Sequence, residues 1–384
     1  MNKFFTILFL IFLNFFFSHK QSFSEENKIK IGLLVPLSGE NIELGKQIVR
    51  ATKLALRDIN SDKIEIYPKD TSSDPNKTLR SAIELSEMGI NLVIGPVFYD
   101  NIIYLNEINN LTFLSLTNKT LDLPKNVIST GINSTSQLKT IQKFIELEKI
   151  KKTIFLIPNL NYDLEIKKGI KKSKIKIFKE HYYDIEPTKL TKQIEKITNY
   201  EIRKQNLFDE ITRLENSDEI NKEKKIESLK KRYTLGGLNF DSVVVADFDE
   251  SLKSVITSLI YTDVSPKKVY FITLNQWFDE SLQKEISYQP IYYPSINKKN
   301  YEEFKNLYLK KFNKYPNQLS FLSYDLVGLI YYLSTKNDWN LNQKMFSKEI
   351  TFKGKVGIFE IKDKKINHVL NFYKVDNKVI KKIF

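Results

Sequence analysis

Short polar segments follow several of the predicted strands, and such segments can bind an anion. Ser38 follows the first predicted strand, and Ser115, Thr117 and Asn118 follow the fourth. At a helix entrance, unpaired backbone N–H groups and the helix dipole favour a carboxylate or a similar anion. The same side chains also cap helices. Because these segments recur at one edge of the predicted sheet, we predict that Ser38, Ser115, Thr117 and Asn118 bind a ligand.

The second half of the chain carries candidate groups at the corresponding strand ends. Tyr162 follows one predicted strand, and Asp247 and Phe248 follow another. The aromatic rings could cover an apolar part of a ligand or pack in the core. A carboxylate at such a position could equally cap a helix. We predict Tyr162 and Asp247 as further ligand-binding residues.

Groups suited to catalysis or metal binding are scarce. The chain has no Cys, and its three His, at positions 19, 181 and 368, form no H-E-x-x-H motif. The sequence contains no P-loop, and no G-x-G-x-x-G follows the first strand. We therefore predict a protein that is not an enzyme and has neither a cofactor nor a metal.

The elements that would position these residues alternate between strand and helix. Short segments rich in β-branched and other apolar residues, at 29–35, 64–67 and 92–94, are each followed by a helical or polar stretch, and the pattern restarts at 153–157. This alternation is typical of parallel sheets covered by helices. At 384 residues the chain is also longer than one core requires. The sequence predicts an α/β fold of two doubly wound, Rossmann-like lobes with a ligand cleft between them.

Residues 190–233 depart from this pattern because they are rich in Lys, Glu, Asn and Asp. Apolar residues recur there at roughly helical intervals, and charges of both signs at spacings of three and four can support exposed helices. The segment predicts a helical hairpin that projects from the second lobe and is hinged near Asn216-Ser217-Asp218. It could be a solvated hairpin without a partner or a docking arm.

The amino terminus has the pattern of a secretory signal peptide over residues 1–24. A basic start precedes an apolar run from Phe4 to Phe17, and Ser22 and Ser24 offer small side chains for cleavage. The absence of Cys excludes a lipobox anchor, and no later segment approaches the about 20 apolar residues of a membrane span. We predict a periplasmic protein that is not a lipoprotein and has no membrane span after cleavage. An uncleaved anchor is the alternative.

The net charge raises the question of a nucleic-acid partner. The chain has 60 basic and 46 acidic residues, a formal net charge of +14. Such a balance suits an anionic surface. The basic residues are mostly Lys and are spread along the chain, without an Arg-rich or aromatic-interleaved stripe. We predict no nucleic-acid partner.

Several short motifs occur in the order seen in one known family. They are Ile31–Gly39, the helix with Gly45 and Ala55, Asp70 with its polar turn, Leu92–Pro96, Ser115–Asn118 and Phe352–Phe359. In these motifs the chain resembles the type I periplasmic solute-binding proteins, in the leucine-binding family. The resemblance implies two lobes that are joined by three crossovers and close by a hinge. Applied here, the first lobe would comprise 28–149 and 274–350, and the second 150–273 and 351–384.

The resemblance also implies a function. Its members capture a small polar solute, such as an amino acid, in the interlobe cleft and deliver it to an ABC-type permease. The groups that hold the carboxylate would fall at 97–99 and 115–118. The acidic residue that holds the ammonium would fall near Asn275 or Gln276, so a free amino acid would require Asp247 or Asp249 instead.

A narrower set of motifs is similar to a different branch of the same fold. These are the charged insertion ending in Tyr233–Gly237, then Trp277 and Ser323–Asp325. They resemble the penicillin-binding protein activators, which stimulate peptidoglycan synthases. This resemblance implies the alternative function, a regulator that contacts a peptidoglycan synthase through its protein surface.

Overall fold

A computed structural model describes residues 28–160, 162–274 and 280–384. The predicted signal peptide lies outside the described residues, as do Asn275, Gln276 and Trp277. The strands of the described residues are, in chain order, β1 Ile29–Val35, β2 Ile64–Asp70, β3 Leu92–Ile94, β4 Thr112–Ser115, β5 Val127–Ser129, β6 Thr153–Pro158, β7 Lys179–Tyr183, β8 Ser242–Val245, β9 Tyr270–Thr273, β10 Ile291–Ser295, β11 Ile350–Lys353, β12 Ile358–Lys362, β13 Lys365–His368, β14 Asn371–Asp376 and β15 Val379–Lys382.

Helices connect these strands. The α-helices of the described residues are α1 Ile42–Ile59, α2 Pro75–Glu87, α3 Ser134–Leu147, α4 Asp163–Ser173, α5 Pro187–Ile197, α6 Tyr200–Glu215, α7 Lys222–Lys230, α8 Asp249–Tyr261, α9 Glu280–Lys284, α10 Lys298–Phe312 and α11 Ser320–Lys336. The segment 99–107, for which the sequence indicates one helix, forms two short 3₁₀ helices, Tyr99–Ile102 and Leu105–Glu107. None of the described helices is long and apolar enough to cross a membrane.

The strands form two large sheets, as the predicted two-lobed α/β fold requires. The first is parallel, with the order β2-β1-β3-β4-β5. The second has the order β15-β14-β10-β9-β8-β6-β7 and is parallel from β7 to β10. Strand β1 is buried along almost its whole length because helices cover both faces of such a sheet. The predicted fold class is confirmed.

The lobe boundaries differ from the predicted ones at all three crossovers. Strand β10 pairs with β9 and β14 in the second sheet, although it falls within the predicted first-lobe range 274–350. Strands β11 to β13 form a small sheet. Its Phe359 and Ile361 belong to the hydrophobic core of the first lobe, although both fall within 351–384, the range predicted for the second lobe. Helix α3 packs on the second sheet through Phe144, although it falls within the predicted first-lobe range 28–149. The chain therefore changes lobe near 133, 296 and 370, because sheet membership depends on pairing that strand periodicity does not encode.

The charged insertion is anchored to the second lobe more firmly than a projecting hairpin would be. Its first part, α5, buries Leu190 and Ile194 in the second core. We call helices α6 and α7 the arm. The chain turns between them, from Glu215 to Lys222, and this turn contains the predicted hinge. The buried guanidinium of Arg203 in α6 donates hydrogen bonds to Thr198 O, Thr234 Oγ1 and Thr262 O. These bonds hold the base of the arm against the lobe.

Candidate ligand-binding groove

A groove of about 620 Å³ lies at the carboxyl ends of β3 and β4. Loops after these strands, the first crossover and the segment before α11 form its walls. The lining residues are Val97, Phe98, Tyr99, Asp100, Leu116, Thr117, Asn118, Lys119, Gly131, Ile132, Asn317, Gln318 and Leu319. This is the edge at which open parallel sheets bind ligands, and the volume falls in the range of small-molecule sites.

Backbone donors are available along this groove. Among the described residues, the N–H groups of Val97, Phe98 and Asn118 donate no hydrogen bond to another protein group. The N–H of Thr117 makes one long contact of 3.4 Å to Ser115 Oγ. Backbone donors of this kind can bind a carboxylate without a charged side chain. Residues that line the groove therefore carry N–H groups that no protein acceptor occupies, and such groups can bind the anionic end of a ligand.

The rest of the lining combines apolar surface with two charged side chains. Phe98 and Ile132 supply apolar walls, and Asp100 contributes a carboxylate. The ammonium of Lys119 lies 4.3 Å from the ring centroid of Tyr99, a cation–π distance. This mixture suits a small molecule that has a carboxylate at one end and an apolar body.

The structure brings two of the six predicted site residues into the groove. Thr117 and Asn118 line it, and they follow β4 as the sequence indicated. Ser115 is fully buried, and its hydroxyl donates to Pro96 O at 2.8 Å. That bond ties the end of β4 to the loop after β3, so Ser115 positions the groove without lining it.

Ser38 is bound into a separate polar network. Its hydroxyl donates to Asp70 Oδ2 at 2.5 Å, and Asp70 also accepts from the N–H of Leu37. Lys77 Nζ lies 2.5 Å from the same carboxylate. Ser38 does not line the groove. The network instead fixes the turn after β1 against the end of β2.

Replacing Asp70 with Asn should destabilise the protein by about 2 kcal/mol near neutral pH, because a charged acceptor of several hydrogen bonds is lost. Burial favours a higher pKa for Asp70, but Lys77, Ser38 and backbone N–H groups outweigh it and hold this pKa well below its usual value. The stabilisation is therefore present above about pH 4 and is lost as the pH falls further. Urea unfolding of both proteins at about pH 7 and pH 3 checks this. The difference should shrink at the lower pH, and an unchanged difference would contradict the assignment.

Tyr162 and Asp247 meet in the second lobe, outside the lining of the groove. Asp247 is only 3% exposed and accepts hydrogen bonds from Tyr162 Oη at 3.1 Å, Tyr183 Oη at 2.6 Å and Ser251 Oγ at 2.5 Å. Burial, together with this carboxylate, raises the pKa of both tyrosines. A ligand ammonium would have to displace one of these hydroxyls to reach Asp247.

Sequence reasoning missed the groove residues that are remote in the chain. Asn317, Gln318 and Leu319 precede α11, and no local motif indicates that they meet the loops after β3 and β4. Gly131 did carry a usable signal, because it follows a strand at the first crossover. A Cβ atom there would lie 2.6 Å from Thr117 O, so the groove requires glycine at this position.

Helix α4 of the second lobe binds the loop that follows the groove residues 117–119. Glu165 in α4 accepts hydrogen bonds at 2.5 Å from the N–H groups of Thr120 and Leu121. In the same helix, Lys168 Nζ donates to Thr120 O at 2.6 Å. Charge-assisted bonds of this length are among the stronger ones in proteins. The groove loop of the first lobe is therefore mechanically linked to the second lobe.

Comparison with known proteins was made against family models, curated sequences and solved structures. Residues 28–202 match the family model described as periplasmic binding protein. One curated relative, an uncharacterised protein of Methanocaldococcus jannaschii, is 36% identical over 85 residues. That alignment covers 20% of this chain, and the chain spans only a fifth of the relative's length.

Three solved structures share the architecture of the chain. A solute-binding protein of an ABC transporter from Rhodopseudomonas palustris, in complex with 3,4-dihydroxybenzoic acid, has a TM-score of 0.55 at 17% identity and 93% coverage of both chains. Isoleucine-bound LivJ from Streptococcus pneumoniae has a TM-score of 0.53 at 16% identity, covering 92% of this chain and 98% of that one. The C-domain of LpoA from Haemophilus influenzae, a regulator of PBP1A, has a TM-score of 0.62 at 14% identity, covering 92% and 100%.

At these identities the structural likeness establishes the fold, and ligands and partners belong to the proteins compared. The resemblance inferred from the sequence motifs is confirmed. This chain is a two-lobed α/β protein with the fold of the type I periplasmic binding proteins, and its residues 28–202 match a periplasmic-binding-protein family model.

Proposed function

We propose that this protein is a periplasmic solute-binding protein that captures a small carboxylate for an ABC-type importer. The observation that carries the proposal is the set of unpaired N–H groups of Val97, Phe98 and Asn118 along one groove. An anion held there gains hydrogen bonds from donors that are already fixed by the ends of β3 and β4, so little ordering cost accompanies binding. The protein acts by binding and closure, without catalysis.

The second lobe narrows the class of solute. Three hydroxyl groups surround Asp247, so binding an ammonium there would require one of them to move. A carboxylate with an apolar or aromatic body makes no such demand, and Phe98, Leu116 and Ile132 offer it apolar walls. We therefore place aromatic and aliphatic carboxylates ahead of free amino acids. Benzoate derivatives and isoleucine are the ligands of the solute-binding proteins compared.

A thermal-shift screen tests this function. The mature protein is heated with a panel of hydroxybenzoates, branched-chain 2-oxo acids, amino acids and the matching amides. A ligand that binds only the folded state adds RT ln(1 + [L]/Kd) to stability, about 2.7 kcal/mol at a hundredfold excess over Kd. We expect at least one carboxylate to raise the melting temperature, and its amide to do so less.

A blocked groove supplies the control. Leu319 is half-buried and lines the groove, so Leu319→Trp should fill it and abolish the shift. Leu164→Trp places the same ring at an exposed position outside the lining and should leave the shift intact. Equal shifts in both variants, or no shift across the whole panel, would refute binding in this groove.

The alternative is a regulator of peptidoglycan synthesis, and two observations favour it. The TM-score to the LpoA C-domain, 0.62, exceeds those of the two solute-binding proteins compared. The arm and its flanks also expose apolar side chains, with Phe208 64% and Ile220 86% exposed. Exposed apolar groups rimmed by charges are a feature of protein-binding surfaces.

A synthase assay separates the two functions. A purified peptidoglycan synthase from the same organism is mixed with the protein, and glycan polymerisation is measured. Under the regulator hypothesis, the protein stimulates the synthase and the double variant Phe208→Ser, Ile220→Ser does not. Point substitutions are preferable to deletion of the arm, because Arg203 joins the arm to the lobe. Under our proposal, neither protein changes the rate.

A further inference from the structure

A second cavity, of about 370 Å³, lies at the seam between the lobes and shares no lining residue with the groove. The first lobe contributes β5, the loop before it, and β13 with the turn that precedes it. The second lobe contributes the start of α3 and the end of α4. The lining residues are Thr120, Leu123, Pro124, Lys125, Val127, Ser129, Asn133, Thr135, Lys139, Lys172, Lys364, Lys365, Ile366 and Asn367.

Five lysines from four segments of the chain line this cavity, and its lining contains no Asp or Glu. In the part of the chain that the structure describes, none of the five forms an ion pair, although many other lysines do. Burial and the charges of Lys168 and Lys365 lower the pKa of Lys172. Glu165 acts in the opposite direction on Lys172, but its carboxylate already accepts bonds from the loop at Thr120. The cavity therefore carries an excess of positive charge, because no acidic side chain lines it and none of its lysines forms an ion pair with a described residue.

The amino terminus of α3 opens onto the same cavity. Asn133 caps this 14-residue helix through a bond from Ser136 N to its side chain, and both Asn133 and Thr135 line the cavity. First-turn N–H groups such as that of Thr135 have no intrahelical partner. Thr135 is only 8% exposed, and its hydroxyl makes no hydrogen bond to any described residue. This hydroxyl is therefore free to donate a hydrogen bond to an anion in the cavity.

We propose that this cavity binds a small anion that carries two or more phosphate groups. Phosphate oxygens accept hydrogen bonds from helix N–H groups and from hydroxyls such as that of Thr135. A single negative charge would leave most of the five lysines unmatched, whereas a chain of phosphates spans ammonium groups on both walls. Because Lys172 and Thr135 belong to the second lobe and Lys365 to the first, the anion bridges the lobes at a site separate from the solute groove.

Isothermal titration of the mature protein with inorganic tripolyphosphate tests the proposal. We expect one saturable site per chain in a buffer of low ionic strength, and weaker binding when sodium chloride is added. The double variant Lys172→Gln, Lys365→Gln should weaken binding by about tenfold or more, since two charge-assisted contacts are lost. Thr135→Val, which keeps the shape of the side chain, should weaken binding several-fold.

A charge-matched control distinguishes a site from the general field of a basic protein. Lys231 and Lys299 are exposed, and each lies within 4.0 Å of a glutamate on its own helix or beside it. Lys231→Gln with Lys299→Gln removes the same net charge and should change the affinity by less than about twofold. Equal losses in both double variants, or no saturable binding by the unmodified protein, would overturn the proposal. Thermal unfolding of each variant checks that it remains folded, which we expect because these lysines are on the surface.

Discussion

Replacing Asp325 with Ala is expected to destabilise the protein by about 3 kcal/mol or more. Asp325 in α11 is 1% exposed, and its carboxylate accepts hydrogen bonds from the backbone N–H groups of Lys355, Val356 and Gly357 at 2.9, 3.1 and 2.7 Å. The variant leaves these donors without an acceptor, and each unsatisfied buried group costs about 1–3 kcal/mol. Urea unfolding at about pH 7 measures the loss.

Asp325→Asn is the matched control, because its amide keeps one acceptor oxygen and nearly the same volume. Its loss in free energy of unfolding should be clearly smaller than that of the Ala variant. Equal losses would show that the three hydrogen bonds do not stabilise the fold. Burial raises the pKa of Asp325 to about 7, against the effect of the backbone N–H groups. The native state thus keeps a proton that the unfolded chain releases above its usual pKa of 3.8. The advantage of the natural protein over Asp325→Asn should therefore fall as the pH rises from about 4 to 7.

Gly45→Ala should cost about 3 kcal/mol or more, although the same exchange inside a helix usually gains about 1 kcal/mol. Gly45 is buried in α1, and a Cβ atom added there would lie 1.7 Å from Pro36 O. A backbone carbonyl cannot rotate away as a side chain can, so α1 would have to move off the turn after β1. The change in the free energy of unfolding, measured with urea, reports the clash.

Gly237→Ala is the comparison for this experiment. No atom lies within 4 Å of a Cβ built on Gly237, and its backbone is outside the left-handed region. Its free energy of unfolding should stay within about 0.5 kcal/mol of the natural protein. If Gly45→Ala behaved in the same way, the close packing of α1 on the turn at Pro36 would be wrong.

The sequence predicted the elements well because their signals are local. Strand β1 is apolar at every position except Lys30, and α2 begins where Asp74 caps and Pro75 occupies the first turn. Pairing between distant segments has no such signal. The motifs at Ser323–Asp325 and Phe352–Phe359 were recognised separately, and only the structure shows that Asp325 binds the backbone of the second motif.

At the candidate site, too, the sequence predicted local features and missed contacts between distant segments. Thr117 and Asn118 line the groove, because the end of a parallel strand fixes that position, and their role in ligand binding stays a prediction. Whether a polar side chain there is free depends on partners elsewhere in the chain. Ser38 is bound by Asp70 and Asp247 by two tyrosines, and neither interaction follows from spacing. The ligand roles predicted for Ser38 and Asp247 stay predictions, and their present contacts are structural.

Hydrogen–deuterium exchange of the protein, with and without a carboxylate from the thermal-shift panel, tests the central claim most directly. The unpaired N–H groups of Val97, Phe98 and Asn118 should exchange quickly without a ligand, because no protein acceptor protects them. With saturating carboxylate, peptides that cover 97–99 and 117–119 should become protected, and Leu319→Trp should abolish the change. Unchanged exchange in both segments, with protection confined to other parts of the chain, would contradict capture of a carboxylate in this groove.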